Sequence, residues 1–128
     1  MSHTSRPFVD HSQIASATGT TTTTSGTYVL VNSMTLTPDA GTYIVAFSSS
    51  YEVDSGNETV RAAIFAGGSI DADSEAIHDV AQADVSVPFS CHGKVTVNGS
   101  QAIEGRWQVT NGQTATMNDR NLIIKRVI

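Results

Sequence analysis

The stretch Gly41-Thr42-Tyr43-Ile44-Val45-Ala46-Phe47-Ser48-Ser49-Ser50-Tyr51-Glu52-Val53 constrains the fold more than any other part of the chain. Pro38, Asp39 and Gly41 set a turn ahead of it, and Asp54-Ser55-Gly56-Asn57 set another behind. The run between them is rich in β-branched and aromatic residues and too serine-laden for a helix, so it predicts a strand. Side chains alternate across a strand, which puts Tyr43, Val45 and Phe47 on one face and Ile44 and Ala46 on the other. An antiparallel sheet with one wet face reads apolar inward and polar outward. Here both faces begin apolar, so the strand is expected to be covered twice, by its own core and by something outside it.

The rest of the chain repeats this strand grammar. Thr27 to Thr37 predicts a first long strand, with Tyr28, Leu30, Met34 and Leu36 on one side and Val29 and Val31 on the other. Thr59 to Ala66, stopped by Gly67-Gly68, and Glu75 to Val80 predict two more. Ala83 to Val87 and Phe89 to Val97 read as a strand pair broken at Pro88, which cannot donate to a ladder and belongs at an edge, a bulge or a crossing. Asn98-Gly99 is a hairpin signal. After it Ile103, Gly105, Trp107 and Val109 alternate with Glu104, Arg106 and Gln108. Asn111-Gly112 marks another tight turn, and Thr114 to Met117 and Asn121 to Ile128 finish the chain. In the last strand Leu122 and Ile124 face one way while Ile123 and Val127 face the other, so it too is apolar on both sides. About eight short strands with regular turn signals predict an all-β, antiparallel sandwich.

Residues 1–26 differ: Phe8, Val9 and Ile14 are the isolated apolar groups in a segment that ends in a run of threonines. That composition suits an extended segment ahead of a domain spanning 27–128: either a frayed terminus, or an arm that orders against a partner with Phe8, Val9 and Ile14 as anchors.

With 128 residues the chain suits a single domain. Charged residues make up 15%, and the net charge is -5 with scattered Lys and Arg, which argues against gripping a phosphate backbone. A single cysteine, Cys91, excludes an internal disulfide. No apolar run approaches membrane-spanning length and no signal peptide precedes the domain, so synthesis in a cytoplasm without membrane insertion is expected.

Candidate chemistry is sparse. Cys91 and His92 are neighbours on a predicted strand and point to opposite faces, so they cannot share an ion. Asp71-Ala72-Asp73-Ser74-Glu75 has alternating carboxylates but lacks the glycine and the distant bidentate Glu of a calcium loop. Asp54 and Glu58 form a second acidic tip. No phosphate-binding glycine motif occurs, and the expectation is a non-enzymatic protein without cofactor or metal.

Three features together resemble the compact jelly roll of the tumour necrosis factor and complement globular-head type, as used in bacteriophage virion proteins. These are the entry Pro38-Asp39-Ala40-Gly41-Thr42-Tyr43-Ile44-Val45-Ala46-Phe47, the Trp107 strand running into Asn111-Gly112-Gln113-Thr114-Ala115-Thr116-Met117, and the closing Asn118-Asp119-Arg120-Asn121-Leu122-Ile123-Ile124. The resemblance covers residues 27 to 128 and implies a homotrimer built around an inner sheet that contains the terminal strand. Tyr43, Phe47, Leu122 and Ile124 are then the expected subunit interface. Burying one such face would remove roughly several hundred Å² of apolar surface, worth several kcal/mol at about 25 cal/mol per Å². The function it implies is a capsid decoration (cement) protein on the virion surface, bridging subunits of the major capsid protein. A receptor- or glycan-binding knob of a head fibre or tail is the alternative.

Overall fold

The computed structural model describes residues 12–127. Among them lie eleven strands and two short 3-10 turns: β1 (Ser12–Ala17), β2 (Thr21–Thr23), β3 (Val29–Leu36), β4 (Gly41–Val53), β5 (Glu58–Ala66), β6 (Ser69–Ile70), β7 (Ala76–Val80), β8 (Val87–Val97), β9 (Ile103–Val109), β10 (Ala115–Met117) and β11 (Arg120–Val127), with the turns at Ala72–Ser74 and Thr110–Gly112. All pairings are antiparallel.

The strands form two sheets. In the first, β4 carries β8 along one edge, while its other edge pairs β11 over residues 42–48 and β10 over 51–53; β1 then adds to β11 and β2 to β10. In the second the order is β3-β9-β5, and the far edge of β5 carries β7 and β6 end to end. The chain changes sheet between β2 and β3, β3 and β4, β4 and β5, β7 and β8, β8 and β9, and β9 and β10, so the fold is an antiparallel jelly-roll sandwich.

Alternation decides what fills the space between the sheets. From the first sheet come Tyr43, Val45, Phe47, Tyr51, Phe89, Cys91, Leu122 and Ile124; from the second come Val60, Ala62, Ile64, Ile103, Trp107 and Val109. Gly105 interrupts the inward series of β9 because Phe47 from the opposite sheet lies across it: a Cβ there would stand 2.8 Å from the ring. Phe47 meets Phe89 edge-on at 5.2 Å between ring centres, and Phe89 stacks on Tyr51 at 4.5 Å.

Several local expectations change. The arm boundary moves: residues 12–17 and 21–23, placed in an extended arm, are hydrogen-bonded strands of the first sheet, because β11 and β10 offer them free ladder edges. The anchors Phe8 and Val9 lie outside the described residues. In β3 the register shifts between Leu30 and Thr35, with Ser33 at φ 72°. This bulge turns Val29, Val31, Met34 and Leu36 inward and leaves Leu30 outside, reversing the faces expected for Leu30, Val29 and Val31. β8 runs unbroken through Pro88, which sits opposite Ser50 on an edge strand. Asn98-Gly99 links β8 of one sheet to β9 of the other and makes no hairpin.

Arg120 ties one end of the sandwich together. Its side chain is buried, and it donates from Nε to the Asn32 carbonyl (3.0 Å) and from one terminal nitrogen to the carbonyls of Gly19 (3.0 Å) and Asn118 (3.2 Å). Beside it the Asp119 carboxylate accepts from the Gly19 backbone N–H at 2.7 Å. A guanidinium suits this role because its planar fork reaches several acceptors at once. Replacement by methionine, Arg120→Met, keeps the stem but strips three carbonyls of their donor, and is expected to cost about 2–4 kcal/mol in urea denaturation.

Candidate functional site

The outer face of the first sheet is apolar at its centre. Register aligns Ile14, Ile123, Ala46 and His92 across β1, β11, β4 and β8 in one row, and Ser12, Lys125, Ile44 and Lys94 in the next. Val127, Thr42 and Thr96 follow, with the two threonine hydroxyls 2.9 Å apart. Ile14 is 59% exposed, Ile44 55%, Ile123 40% and Val127 39%, so four aliphatic side chains stand in solvent on one surface. Exposed aliphatic side chains grouped on one face are a common feature of contact surfaces. The charged groups in these rows are Lys94 and Lys125, with His92 beside them; the carboxylate of Glu52 lies further along, in the row of Thr22 and Thr116. Lysine stems can cover apolar neighbours while their ammonium groups stay wet.

The interface residues expected from the sequence sit on the other side of the same strands. Tyr43, Phe47, Leu122 and Ile124 are buried in the chain's own core, so they cannot face a neighbouring subunit. The doubled apolarity of β4 and β11 is real, but the exposed half belongs to Ile44, Ala46, Ile123 and Val127. Nothing in the alternation says which half faces inward; the closing of the second sheet over Phe47 decides it. Ile14 joins the apolar surface, held there by the backbone pairing of β1 rather than lying on a separate arm.

The outer face of the second sheet is different in kind. Arg106 donates twice to the Glu104 carboxylate, at 2.8 and 2.6 Å, and lies over the Phe65 ring at 4.4 Å. Tyr28 packs edge-on against Phe65 at 5.2 Å and donates its hydroxyl to Glu75, which also approaches Arg61 at 3.8 Å. These polar groups are matched within the chain. Burial first, and then the Glu75 carboxylate, hold the Tyr28 hydroxyl well above its ordinary pKa.

At the open edge between β7 and β8 lies a cleft of about 320 Å³ walled by Val80, Ala81, Val85 and Val87 and by His78. Behind it Tyr51 and His78 Nδ1 are 2.6 Å apart, and burial raises the Tyr51 pKa. The Tyr51 hydroxyl therefore stays protonated beside the imidazole.

The acidic clusters do not converge. Asp71 caps the short turn after β6 through the Asp73 N–H at 3.3 Å, Ser74 is buried, and Glu75 turns to Tyr28. Asp54 accepts from the Thr114 N–H at 3.0 Å, and Glu58 from the Thr110 hydroxyl at 2.7 Å. Among the described residues no three His, Cys, Asp or Glu side chains are grouped closely enough to hold a metal ion. Cys91 is buried and His92 exposed, on opposite faces of β8.

No protein-family model matches the chain, and no curated protein matches it in sequence. Among solved structures, it is similar to the CBM36-1 domain of a multidomain xylanase from the hindgut metagenome of Trinervitermes trinervoides, with TM-score 0.47 and 15% identity over 91% of this chain and 98% of that one. It is also similar to Eiger TNF from S. frugiperda, with TM-score 0.49 and 15% identity over 95% of this chain and 94% of that one. The jelly-roll assignment rests on the strand order of this chain itself.

Burial pushes the Cys91 thiol up to about 12 from its ordinary 9.0, against the lowering effect of the Ala76 backbone N–H. The folded state thus prefers the neutral thiol. Its contribution to stability is complete below about pH 9 and is lost as pH rises toward 12. Urea midpoints are expected to fall over that window, with a shallower fall in Cys91→Ala, and native Cys91 is expected to resist alkylating reagents that label the unfolded chain.

Proposed function

We propose that this chain is a non-enzymatic structural protein of a virion: a homotrimeric capsid decoration protein that bridges and stabilises subunits of the major capsid protein. The observation that carries the reading is the apolar outer face of the first sheet, with Ile14, Ile44, Ile123 and Val127 in solvent on one surface. Three copies brought together over this face would bury those side chains around a common axis, leaving the second sheet outward. The three-fold closure and the capsid setting come from the resemblance of residues 27 to 128 to the virion jelly rolls. Phe8 and Val9 would supply contacts to the shell, and stability would come from many small contacts rather than from one deep site.

A glycan- or receptor-binding knob gains less support. Stacking on a sugar needs an open ring face. Trp107 is buried, and Phe65 is covered by Arg106 and by the edge of Tyr28.

The test is the mass of the full chain in solution. A trimer is expected, and Ile123→Asp is expected to weaken association about 100-fold or more while leaving a folded monomer, because a carboxylate would have to be desolvated at the contact. Ile124→Asp, which buries the charge inside the core, is expected to unfold the chain. Added to undecorated capsids, the wild-type trimer is expected to bind and raise their thermal stability. A well-folded monomer at micromolar concentration, or an Ile123→Asp variant that remains fully trimeric, overturns the proposal.

A further inference from the structure

We propose that Asn98 is a self-modifying site: the folded chain promotes cyclisation of Asn98 onto Gly99, converting the asparagine into aspartate and isoaspartate. In this reaction the Gly99 backbone nitrogen loses its proton and attacks the Asn98 amide carbon. The new C–N bond closes a five-membered imide, and the side-chain nitrogen leaves as ammonia. Water then opens the ring at either carbonyl, giving aspartate or a backbone lengthened by one carbon. Water and hydroxide are the only co-reactants.

Three features of the β8–β9 crossing favour the first step. Asn98, Gly99 and Ser100 are exposed, so solvent can take the amide proton and remove ammonia. Gly99 stands at φ 95°, with no side chain to shield its nitrogen. The Ser100 backbone N–H donates to Asn98 Oδ1 at 2.9 Å. That contact folds the side chain over the Gly99 peptide and aims a donor at the oxygen that becomes negative when the amide carbon is attacked, the arrangement by which oxyanion sites stabilise tetrahedral intermediates.

The other asparagines are held differently. The Asn118 side-chain nitrogen, the group that must leave, donates to the Ser50 hydroxyl at 2.9 Å, and Asn57, Asn32 and Asn121 precede residues with side chains. Asn111-Gly112 repeats the reactive dipeptide, but there the equivalent N–H, that of Gln113, donates to the Thr110 carbonyl at 3.2 Å. The N–H two residues on thus meets the side-chain oxygen at Asn98, whereas after the second Asn-Gly pair it meets a backbone carbonyl.

Conversion at Asn98 would reach beyond the loop. The Asn98 N–H donates to Gln101 Oε1 at 3.1 Å, the Gln101 side chain lies against Gly67, and the Gly67 N–H donates to the Ala102 carbonyl at 2.9 Å. An isoaspartate would lengthen the crossing and loosen the β5–β6 turn that rests on it, while adding a negative charge.

The experiment incubates the full chain at mildly alkaline pH, folded and in parallel in urea, and follows Asn98 and Asn111 by peptide mass and by enzymatic methylation of isoaspartate. In the folded chain Asn98 is expected to convert roughly tenfold faster than Asn111, the worth of one solvent-exposed oxyanion donor, and in urea the two rates are expected to converge. A folded-state rate at Asn98 equal to or below that at Asn111 overturns the proposal, and so does a preference that persists unchanged in urea.

Discussion

The architecture depends on the pairing of β4. Its thirteen residues hydrogen-bond to β8 along one edge and to β11 and β10 in succession along the other. A backbone this central must have its polar groups met on both sides, since buried N–H and C=O groups without partners are costly. Every other strand of the first sheet is therefore placed, directly or through one intermediary, by the register of β4. A slip of one residue would exchange Val45 and Phe47 for Ile44 and Ala46 and empty the core.

That register also creates the surface on which the functional reading rests. Strands β4 and β11 carry aliphatic side chains at successive positions, so core burial consumes one half and leaves the other in solvent. Ile123 and Ile124 are adjacent in sequence and belong to different environments. The first sheet thus presents an aliphatic surface with Lys125 set among the isoleucines and Lys94 on its β8 edge, whereas the second presents arginines and carboxylates already matched to one another. A face with satisfied charges gains little from a partner; an aliphatic face gains from every Å² removed from water.

Packing between the sheets sets the remaining detail. Phe47 lies over Gly105, and the rings of Phe47, Phe89 and Tyr51 run in contact toward the His78 edge. At one end Arg120 joins the segments at Gly19 and Asn118 to Asn32 of β3. These contacts join residues far apart in the chain, so no local pattern announces them.

By itself, the sequence determined the strand grammar: the positions of β4, β5, β9 and β11, the inward run Ile103, Gly105, Trp107 and Val109, the opposed faces of Cys91 and His92, and the existence of strands apolar on both sides. These follow from the period of two and from turn residues, which are local properties. Only the tertiary structure decided which apolar half is core, because that depends on where the second sheet lands; Tyr43, Phe47, Leu122 and Ile124 went inward and Ile44 and Ile123 stayed out. It also drew Ser12–Ala17 into the sheet, since a polar segment with little to bury can still satisfy a free ladder edge. The bulge at Ser33 and the crossing at Asn98 were likewise set by long-range pairing, where the need of each strand to meet its partner outweighs local preference.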